Sequence, residues 1–171
     1  MSQVVKAAVG LGSNLGDRLG YLREARSRIA ALPGVVALRS SPLYETEPVD
    51  VPSDYRELHY LNAVLMVETR IDVEEWSRVL HAIEDDLFRR RTGERNAPRT
   101  IDIDLLTYGM VQMSRPDLTL PHPQCTKRRF VCQPLADLEP DLRLPGEKLT
   151  IREILADLPE SPVVRLSAKD W

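Results

Sequence analysis

Hydrophobic and polar positions follow periods along the chain that predict strands and helices. The apolar run Val4–Leu11 predicts a buried strand, and apolar positions three and four apart over residues 19–32 predict an amphipathic helix ending at Pro33-Gly34. Val36–Tyr44 and Leu61–Thr69 predict two further strands. The segment between them, residues 45–59, is rich in proline and acids and predicts a surface loop.

A second helix and a fourth strand follow. Asp72 is expected to cap a helix whose apolar face runs from Val73 to Leu87. The strand Ile101–Tyr108 comes next, and Gly109-Met110 predicts a hairpin tip with a return through Val111–Met113. The C-terminal third is loop-rich, with a short helix near residues 151–158 and a candidate edge strand at 163–166.

The order strand, helix, strand, strand, helix, strand predicts an α+β ferredoxin-like sandwich, a mainly antiparallel sheet with two helices on one face. A doubly wound parallel sheet is less favoured because no helix separates the second strand from the third. We expect a single domain over residues 1–171, with its core at about residues 5–158 and a tail at 159–171.

Composition narrows the class of protein. A chain of 171 residues with 43% hydrophobic residues can bury a sizeable core without a disulfide scaffold, and it has only two cysteines. It contains no apolar run of ~20 residues and no basic-then-apolar start. We therefore expect a cytoplasmic protein with no membrane partner.

The net charge of −3 hides an asymmetry. Arg89–Arg99 carries five arginines and one acid, and Lys127–Arg129 adds three positive charges. The remaining chain holds 15 basic and 25 acidic residues, a balance of −10. Two short cationic segments on an acidic body indicate a focused anion site and argue against nucleic-acid binding.

Asp102 and Asp104 alternate with Ile101 and Ile103 on the fourth strand, so both carboxylates leave the same face, roughly 7 Å apart. Paired hard oxygen ligands suit Mg²⁺ that takes the rest of its shell from water and phosphate. Taken alone, such a pair is more often part of a solvated face. The preceding arginines are either salt-bridge partners of the pair or clamps for phosphate oxygens.

The turn from Gly10 to Asp17 has the wrong glycine spacing for a dinucleotide fingerprint, and the chain has no Walker-type Gly-Lys-Ser/Thr. We interpret it as a tight strand-to-helix turn in which Asn14 or Asp17 caps the helix. His122, held between prolines, is a candidate phosphate donor. Tyr60 and Phe130 are candidates to stack on a flat heteroaromatic ligand, with Asn62 as its hydrogen-bonding amide.

Together these motifs resemble the 6-hydroxymethyl-7,8-dihydropterin pyrophosphokinase family, in the family's order and over nearly the whole chain. The matching motifs are Gly10-Leu11-Gly12-Ser13-Asn14-Leu15-Gly16, Tyr44-Glu45-Thr46-Glu47-Pro48-Val49, Tyr60-Leu61-Asn62-Ala63, Ile83-Glu84, Arg89-x-Arg91, Ala97-Pro98-Arg99-Thr100-Ile101-Asp102-Ile103-Asp104, Leu120-Pro121-His122-Pro123 and Arg128-x-Phe130.

The resemblance implies a monomeric, cytoplasmic enzyme of folate biosynthesis that transfers the terminal diphosphate of ATP to the pterin hydroxymethyl group and releases AMP. Two Mg²⁺ ions would lie at Asp102 and Asp104, and Arg89 and Arg99 would join this pair as catalytic residues. The positions that match ATP contacts are Glu84, Arg91, Arg99, Leu105, Thr119, His122 and Arg128. The positions that match pterin contacts are Thr46, Pro48, Val49, Tyr60, Asn62 and Phe130.

Three positions depart from the family pattern. Asn96 stands where some members have a tryptophan, Asp50 where glycine is common, and Asp117 where some members have a basic residue. Two other classes stay open: a palm-type Mg²⁺-dependent nucleotidyltransferase and a non-enzymatic, ligand-sensing ferredoxin-like module. The products of ATP separate the three classes, because the first rival releases pyrophosphate and the second consumes no ATP.

Overall fold

The structure is a computed structural model that describes residues 3–87 and 98–171. Its elements, in chain order, are β1 Val5–Ser13, α1 Arg18–Ala30, β2 Val35–Ser40, β3 Leu43–Thr46, β4 Tyr60–Thr69, α2 Val73–Asp86, β5 Asp102–Tyr108, β6 Met113–Ser114, β7 Thr119–Leu120, α3 Arg129–Leu138, α4 Ile151–Asp157 and β8 Val164–Ala168. A single 3-10 turn at Ser53–Tyr55 lies between β3 and β4.

The main sheet has the strand order β5-β1-β4-β3-β8, and β2 also pairs with β4. Every pairing in it is antiparallel. The first four positions of this order are those of a ferredoxin-like sheet, with the first strand central and the last strand of the repeat beside it. The predicted α+β sandwich is confirmed.

One face of the sheet is covered by α1 and α2, as the sequence predicts. Alternate residues of β1 and β4, such as Val9 and Leu65, pack there against Ile29 of α1 and Trp76 of α2. The α1 cap is Asp17, whose side chain accepts from the backbone N–H of Gly20 at 3.0 Å. Asp72 caps α2 by accepting from the N–H groups of residues 74 and 75.

The opposite face carries a second helical layer, α3 and α4. The short helix predicted near residues 151–158 is confirmed as α4, whereas α3 and the cover of this face were not predicted. The intervening residues of the strands, Ala8, Val64, Met66 and Leu106, are apolar too and form a second core with these helices. Strands that are apolar on both faces need cover on both faces. No helix in the described ranges is both long and apolar enough to cross a membrane.

Two predicted elements differ from the structure. The second strand divides at Ser41, whose N–H donates to the Val64 carbonyl at 2.9 Å while its Oγ accepts from the Val64 N–H at 2.9 Å. The chain then continues as β3 through Thr46, so the predicted loop begins later. The predicted hairpin return is wrong in its partner, because β6 pairs with β7 and not with β5.

The C-terminal tail adds the edge strand β8, which confirms the candidate strand there. It pairs antiparallel with β3, and Val164 lies opposite Thr46. The last residue, Trp171, donates from Nε1 to the Ser41 carbonyl at 2.9 Å. The guanidinium of Arg26 stacks over the Trp171 ring at 4.4 Å from its centre. The tail is thereby fixed along the sheet.

Candidate active site

The floor of the site is formed by two glycines of β1, between the strands that carry the polar groups. Gly12 lies between Asn62 of β4 and Asp102 of β5, and Gly10 lies beside Asp104. A Cβ atom on Gly12 would stand 3.0 Å from Oδ1 of Asn62, tighter than an ordinary contact. Glycine therefore keeps the floor open, a role that the sequence analysis missed because it interpreted these glycines as part of a turn.

A cavity of about 460 Å³ opens above this floor. Five of the six predicted pterin-contact residues line it, namely Thr46, Val49, Tyr60, Asn62 and Phe130. Pro48 is not among its lining residues, although its neighbours Glu47 and Val49 are. The structure therefore brings residues from β3, β4 and α3, distant in the chain, around one space.

The amide of Asn62 is oriented within this cavity. Its Nδ2 donates to Oγ1 of Thr46 at 3.1 Å, which directs Oδ1 over Gly12. An oxygen acceptor is thus presented beside the ring of Tyr60, which also lies over Gly12. Burial raises the pKa of Tyr60, so its phenol stays neutral. This arrangement suits a flat ligand with N–H donors on its edge.

A second cavity of about 270 Å³ lies across β5 from the first. It is lined by the predicted ATP-contact residues Leu105, Thr119 and His122, and also by Asp104. Since Asp104 also lines the first cavity, one carboxylate belongs to both. The two cavities meet at Asp104, and the predicted ATP-contact residues are divided between them, because Arg99 and Arg128 line the first cavity.

His122 is held by its backbone and by one ring nitrogen. Its N–H donates to the Leu106 carbonyl at 2.8 Å, and its Nδ1 accepts from the Gln124 N–H at 3.1 Å. Nε2, 4.0 Å from Oδ1 of Asp104, therefore carries the proton of the neutral ring. Burial, with the nearby charge of Arg128, lowers the pKa of His122. The ring is a neutral donor aimed at the acidic pair.

Arg99 is positioned by the turn after β1. The side-chain oxygen of Asn14 accepts from the Arg99 N–H at 2.8 Å, and the Asn14 N–H donates to the Arg99 carbonyl at 3.2 Å. The Arg99 guanidinium then lies 3.1 Å from Oδ2 of Asp102. The buried Asn14 therefore positions the backbone of a predicted catalytic residue. Of the two candidates for the helix cap, Asp17 is the one that caps α1.

All three residues of the second basic cluster, Lys127–Arg129, line the first cavity. Arg128 lies over the ring of Phe130, with its guanidinium carbon 5.6 Å from the ring centre. Arg129 has a different environment, because its guanidinium donates to backbone carbonyls at the end of α4. Arg99 also lines this cavity, so Arg99 and Arg128 share it with the acidic pair, whereas the Arg129 guanidinium faces the backbone.

The acidic pair has the donor chemistry that Mg²⁺ requires. Asp102 and Asp104 lie on one face of β5 and line the first cavity. Arg99 lies beside the carboxylate of Asp102, and His122 lies beside that of Asp104. Within residues 3–87 and 98–171, no three His, Cys, Asp or Glu side chains cluster as a metal site. Two carboxylates suffice for Mg²⁺ when phosphate and water complete its shell, so these residues fit a metal shared with a nucleotide.

Glu84 does not lie in either cavity. It is fully buried on α2, and its Oε1 accepts from the N–H of Ile103 at 2.8 Å. Ile103 stands between Asp102 and Asp104, so Glu84 holds the backbone that presents both carboxylates. The predicted arginines Arg89 and Arg91 fall outside the described residues.

The antiparallel ferredoxin-like sheet carries an acidic pair beside two cavities, one lined by aromatic residues and one by His122. These features define the class of protein. It is a ferredoxin-like α+β domain in which a cavity lined by aromatic residues adjoins a cavity lined by a histidine. The profile of the 7,8-dihydro-6-hydroxymethylpterin-pyrophosphokinase (HPPK) family matches residues 8–140. The chain belongs to this family.

Two relatives match this chain along almost their full length. The 2-amino-4-hydroxy-6-hydroxymethyldihydropteridine pyrophosphokinase of Methylorubrum extorquens is 39% identical over 164 residues, 95% of this chain and 99% of that protein. The enzyme of that name from Pseudomonas aeruginosa is 35% identical over 163 residues, 95% of this chain and 98% of that protein. A crystal structure of wild-type Plasmodium falciparum HPPK-DHPS with pteroate has the same fold, with a TM-score of 0.67 and 16% identity over 91% of this chain and 42% of that one.

Glu84→Ala is expected to lower the free energy of unfolding by about 1–3 kcal/mol, because it leaves the buried Ile103 N–H without its acceptor. Urea unfolding followed by circular dichroism measures this change. Glu84→Gln keeps an oxygen at the same place and should lose less. An unchanged unfolding free energy in Glu84→Ala would contradict the structural role and leave ligand contact as the explanation.

In the metal-free protein, the His122 ring is expected to titrate below pH 6.5, because burial and Arg128 oppose its positive charge. NMR titration of the ring protons measures the midpoint. Arg128→Ala should move the midpoint upward, since it removes one of the two causes. A midpoint at or above 6.5 in the unmutated protein would show that the ring is not buried as described.

Proposed function

We propose that this chain transfers the terminal diphosphate of ATP to the hydroxyl group of 6-hydroxymethyl-7,8-dihydropterin and releases AMP, a step of tetrahydrofolate biosynthesis. Membership of the HPPK family and the names of its full-length relatives support this reaction. The observation that carries the proposal is that Asp104 lines both cavities. A donor in one and an acceptor in the other would react beside that carboxylate.

The first cavity is the proposed pterin site. Tyr60 and Phe130 supply aromatic faces for the heterocycle, and Asn62 Oδ1 accepts from an N–H on its edge. Thr46 holds the Asn62 amide in this orientation. The second cavity is the proposed nucleotide site, with Leu105 against the base and Thr119 and His122 as polar contacts. Each substrate is thus held before the reaction by preformed groups.

The reaction is an in-line displacement at the β-phosphorus of ATP. A bond forms between this phosphorus and the pterin hydroxyl oxygen, and the bond from the β-phosphorus to the α,β-bridging oxygen breaks. AMP leaves with that oxygen, and the hydroxyl proton passes to solvent. Such transfers depend mainly on positioning and on stabilising the charge of the transition state, so no strong general base is assigned.

The residues around the junction stabilise the negative charge that shifts toward the leaving group. Arg99 and Arg128 are permanent cations with donors suited to phosphate oxygens. The neutral His122 donates from Nε2 toward the same region. Asn14 holds the Arg99 backbone, and the Arg99 guanidinium lies 3.1 Å from Oδ2 of Asp102, so the charge is positioned before the substrates bind. Arg89 and Arg91 are proposed partners by resemblance alone.

Asp102 and Asp104 are the residues that would hold magnesium, and two ions are proposed from the resemblance. When bound, the metal supplies neutralisation of phosphate charge and orientation of the triphosphate. The chain's own contribution is to keep the two carboxylates on one face of β5, through the β1 pairing and the Glu84–Ile103 bond. The monomeric state and the cytoplasmic location are likewise proposals from the resemblance.

The products of the reaction test the proposal directly. With ATP, Mg²⁺ and the hydroxymethyl pterin, we expect AMP and the pterin diphosphate to form in equal amounts. ³¹P NMR or chromatography measures both products. Omission of the pterin should abolish most AMP formation. Release of pyrophosphate would favour the palm-type nucleotidyltransferase, and an absence of Mg²⁺-dependent ATP consumption would favour the ligand-sensing module.

Asp102→Ala and Asp104→Ala are each expected to lower turnover by about 10²-fold or more without loss of the fold, because they remove an oxygen ligand at the junction of the cavities. Steady-state kinetics and thermal unfolding measure the two effects. Asp141→Ala is the matched control, since that aspartate is exposed and paired with Arg152 on α4. Turnover in either active-site variant equal to that of the control would refute the metal assignment.

A further inference from the structure

Arg129 makes contacts that distinguish it from the other cations at the site. Its Nε donates to the Pro159 carbonyl at 2.8 Å, and its Nη2 donates to the carbonyls of Leu158 at 2.7 Å and Leu155 at 3.3 Å. These three acceptors lie at the C-terminal end of α4 and the start of the tail. Three N–H groups of the guanidinium therefore donate to backbone carbonyls, so they are not available to a phosphate.

The segment that Arg129 holds is a wall of the first cavity. Leu158, Pro159, Ser161 and Pro162 all line it, together with the predicted pterin-contact residues. Two prolines in five residues restrict the backbone of this wall. Its position along the cavity therefore depends on what anchors its two ends.

The far end of the wall continues directly into β8. Val164 pairs with Thr46, the residue whose Oγ1 accepts from Asn62. Beyond β8, Trp171 is fixed by the Ser41 carbonyl and by the stacked Arg26. The wall is thus held by Arg129 before the cavity and by β8 and Trp171 after it.

We propose that Arg129 is a positioning residue for the pterin site. It holds residues 158–162 as the wall of that site and, through the pairing of β8 with β3, keeps the Thr46 hydroxyl against the Asn62 amide. The proposal rests on the proposed function, because it assigns the first cavity to the pterin. It removes Arg129 from the phosphate contacts that its place in the basic cluster suggested. Its loss should therefore weaken pterin binding and leave nucleotide binding unchanged.

Arg129→Ala and Arg129→Lys test this assignment. Lysine keeps the charge, but all its donors are on one nitrogen and cannot reproduce bonds made from both Nε and Nη2, so we expect both variants to bind the pterin about tenfold more weakly. Calorimetric titration of pterin into protein saturated with Mg²⁺ and a non-hydrolysable ATP analogue measures this affinity. Titration of the analogue alone should give the unmutated value for both variants.

Arg152→Ala is the matched control, since Arg152 lies on α4 and pairs with Asp141 at the surface. It should bind both ligands as the unmutated protein does. Trp171→Ala loosens the other end of the wall and should weaken pterin binding in the same direction. If Arg129→Ala unfolds below the titration temperature in a thermal unfolding measurement, Trp171→Ala provides the test instead.

Three results would overturn the inference. Weaker binding of the ATP analogue to Arg129→Ala, restored in Arg129→Lys, would identify a phosphate contact. Unchanged affinity for both ligands in every folded variant would show that the wall does not position the pterin. Failure of the unmutated protein to bind the pterin would refute the proposed function and this inference with it, and that result is recognised before any variant is compared.

Discussion

The site depends on the pairing of β1 with β4 on one side and with β5 on the other. This register places Gly12 between Asn62 and Asp102, and it places Gly10 beside Asp104. Antiparallel strands lie about 5 Å apart, so an amide and a carboxylate that are forty residues apart in the chain become neighbours across one glycine. A shift of one residue would turn both carboxylates into the core beneath α1 and α2.

The surroundings of the sheet convert that register into a chemical site. Glu84 holds β5 from below, and Asn14 holds Arg99 from the turn after β1. The charges are therefore arranged by buried polar contacts and not by surface ion pairs, which contribute little when exposed to water. Arg99 and Lys127–Arg129 line the same cavity as the acidic pair of β5, so cations and acids that are distant in the chain meet there.

Much of the fold was predictable because it follows from local periodicity. The four strands and two helices of the ferredoxin-like unit carry alternating or helical apolar positions, and the caps at Asp17 and Asp72 are standard N-cap residue types. The helix α3 was missed because Pro134 lies within it and because its apolar residues pack against the second face of the sheet. The break at Ser41 depends on a bond to Val64, which no local pattern indicates.

The sequence by itself determined the class of fold, the acidic pair, the aromatic and amide candidates and the resemblance to a pyrophosphokinase family, because each depends on residue types at short spacings. Tertiary structure decided which groups share a cavity, that Glu84 is buried behind β5 and that the Arg129 guanidinium donates to the backbone at the start of the tail. The Glu84 and Arg129 assignments depend on contacts across 19 and 30 residues of chain. Charge and spacing in a sequence identify candidate groups, whereas their partners are set by packing.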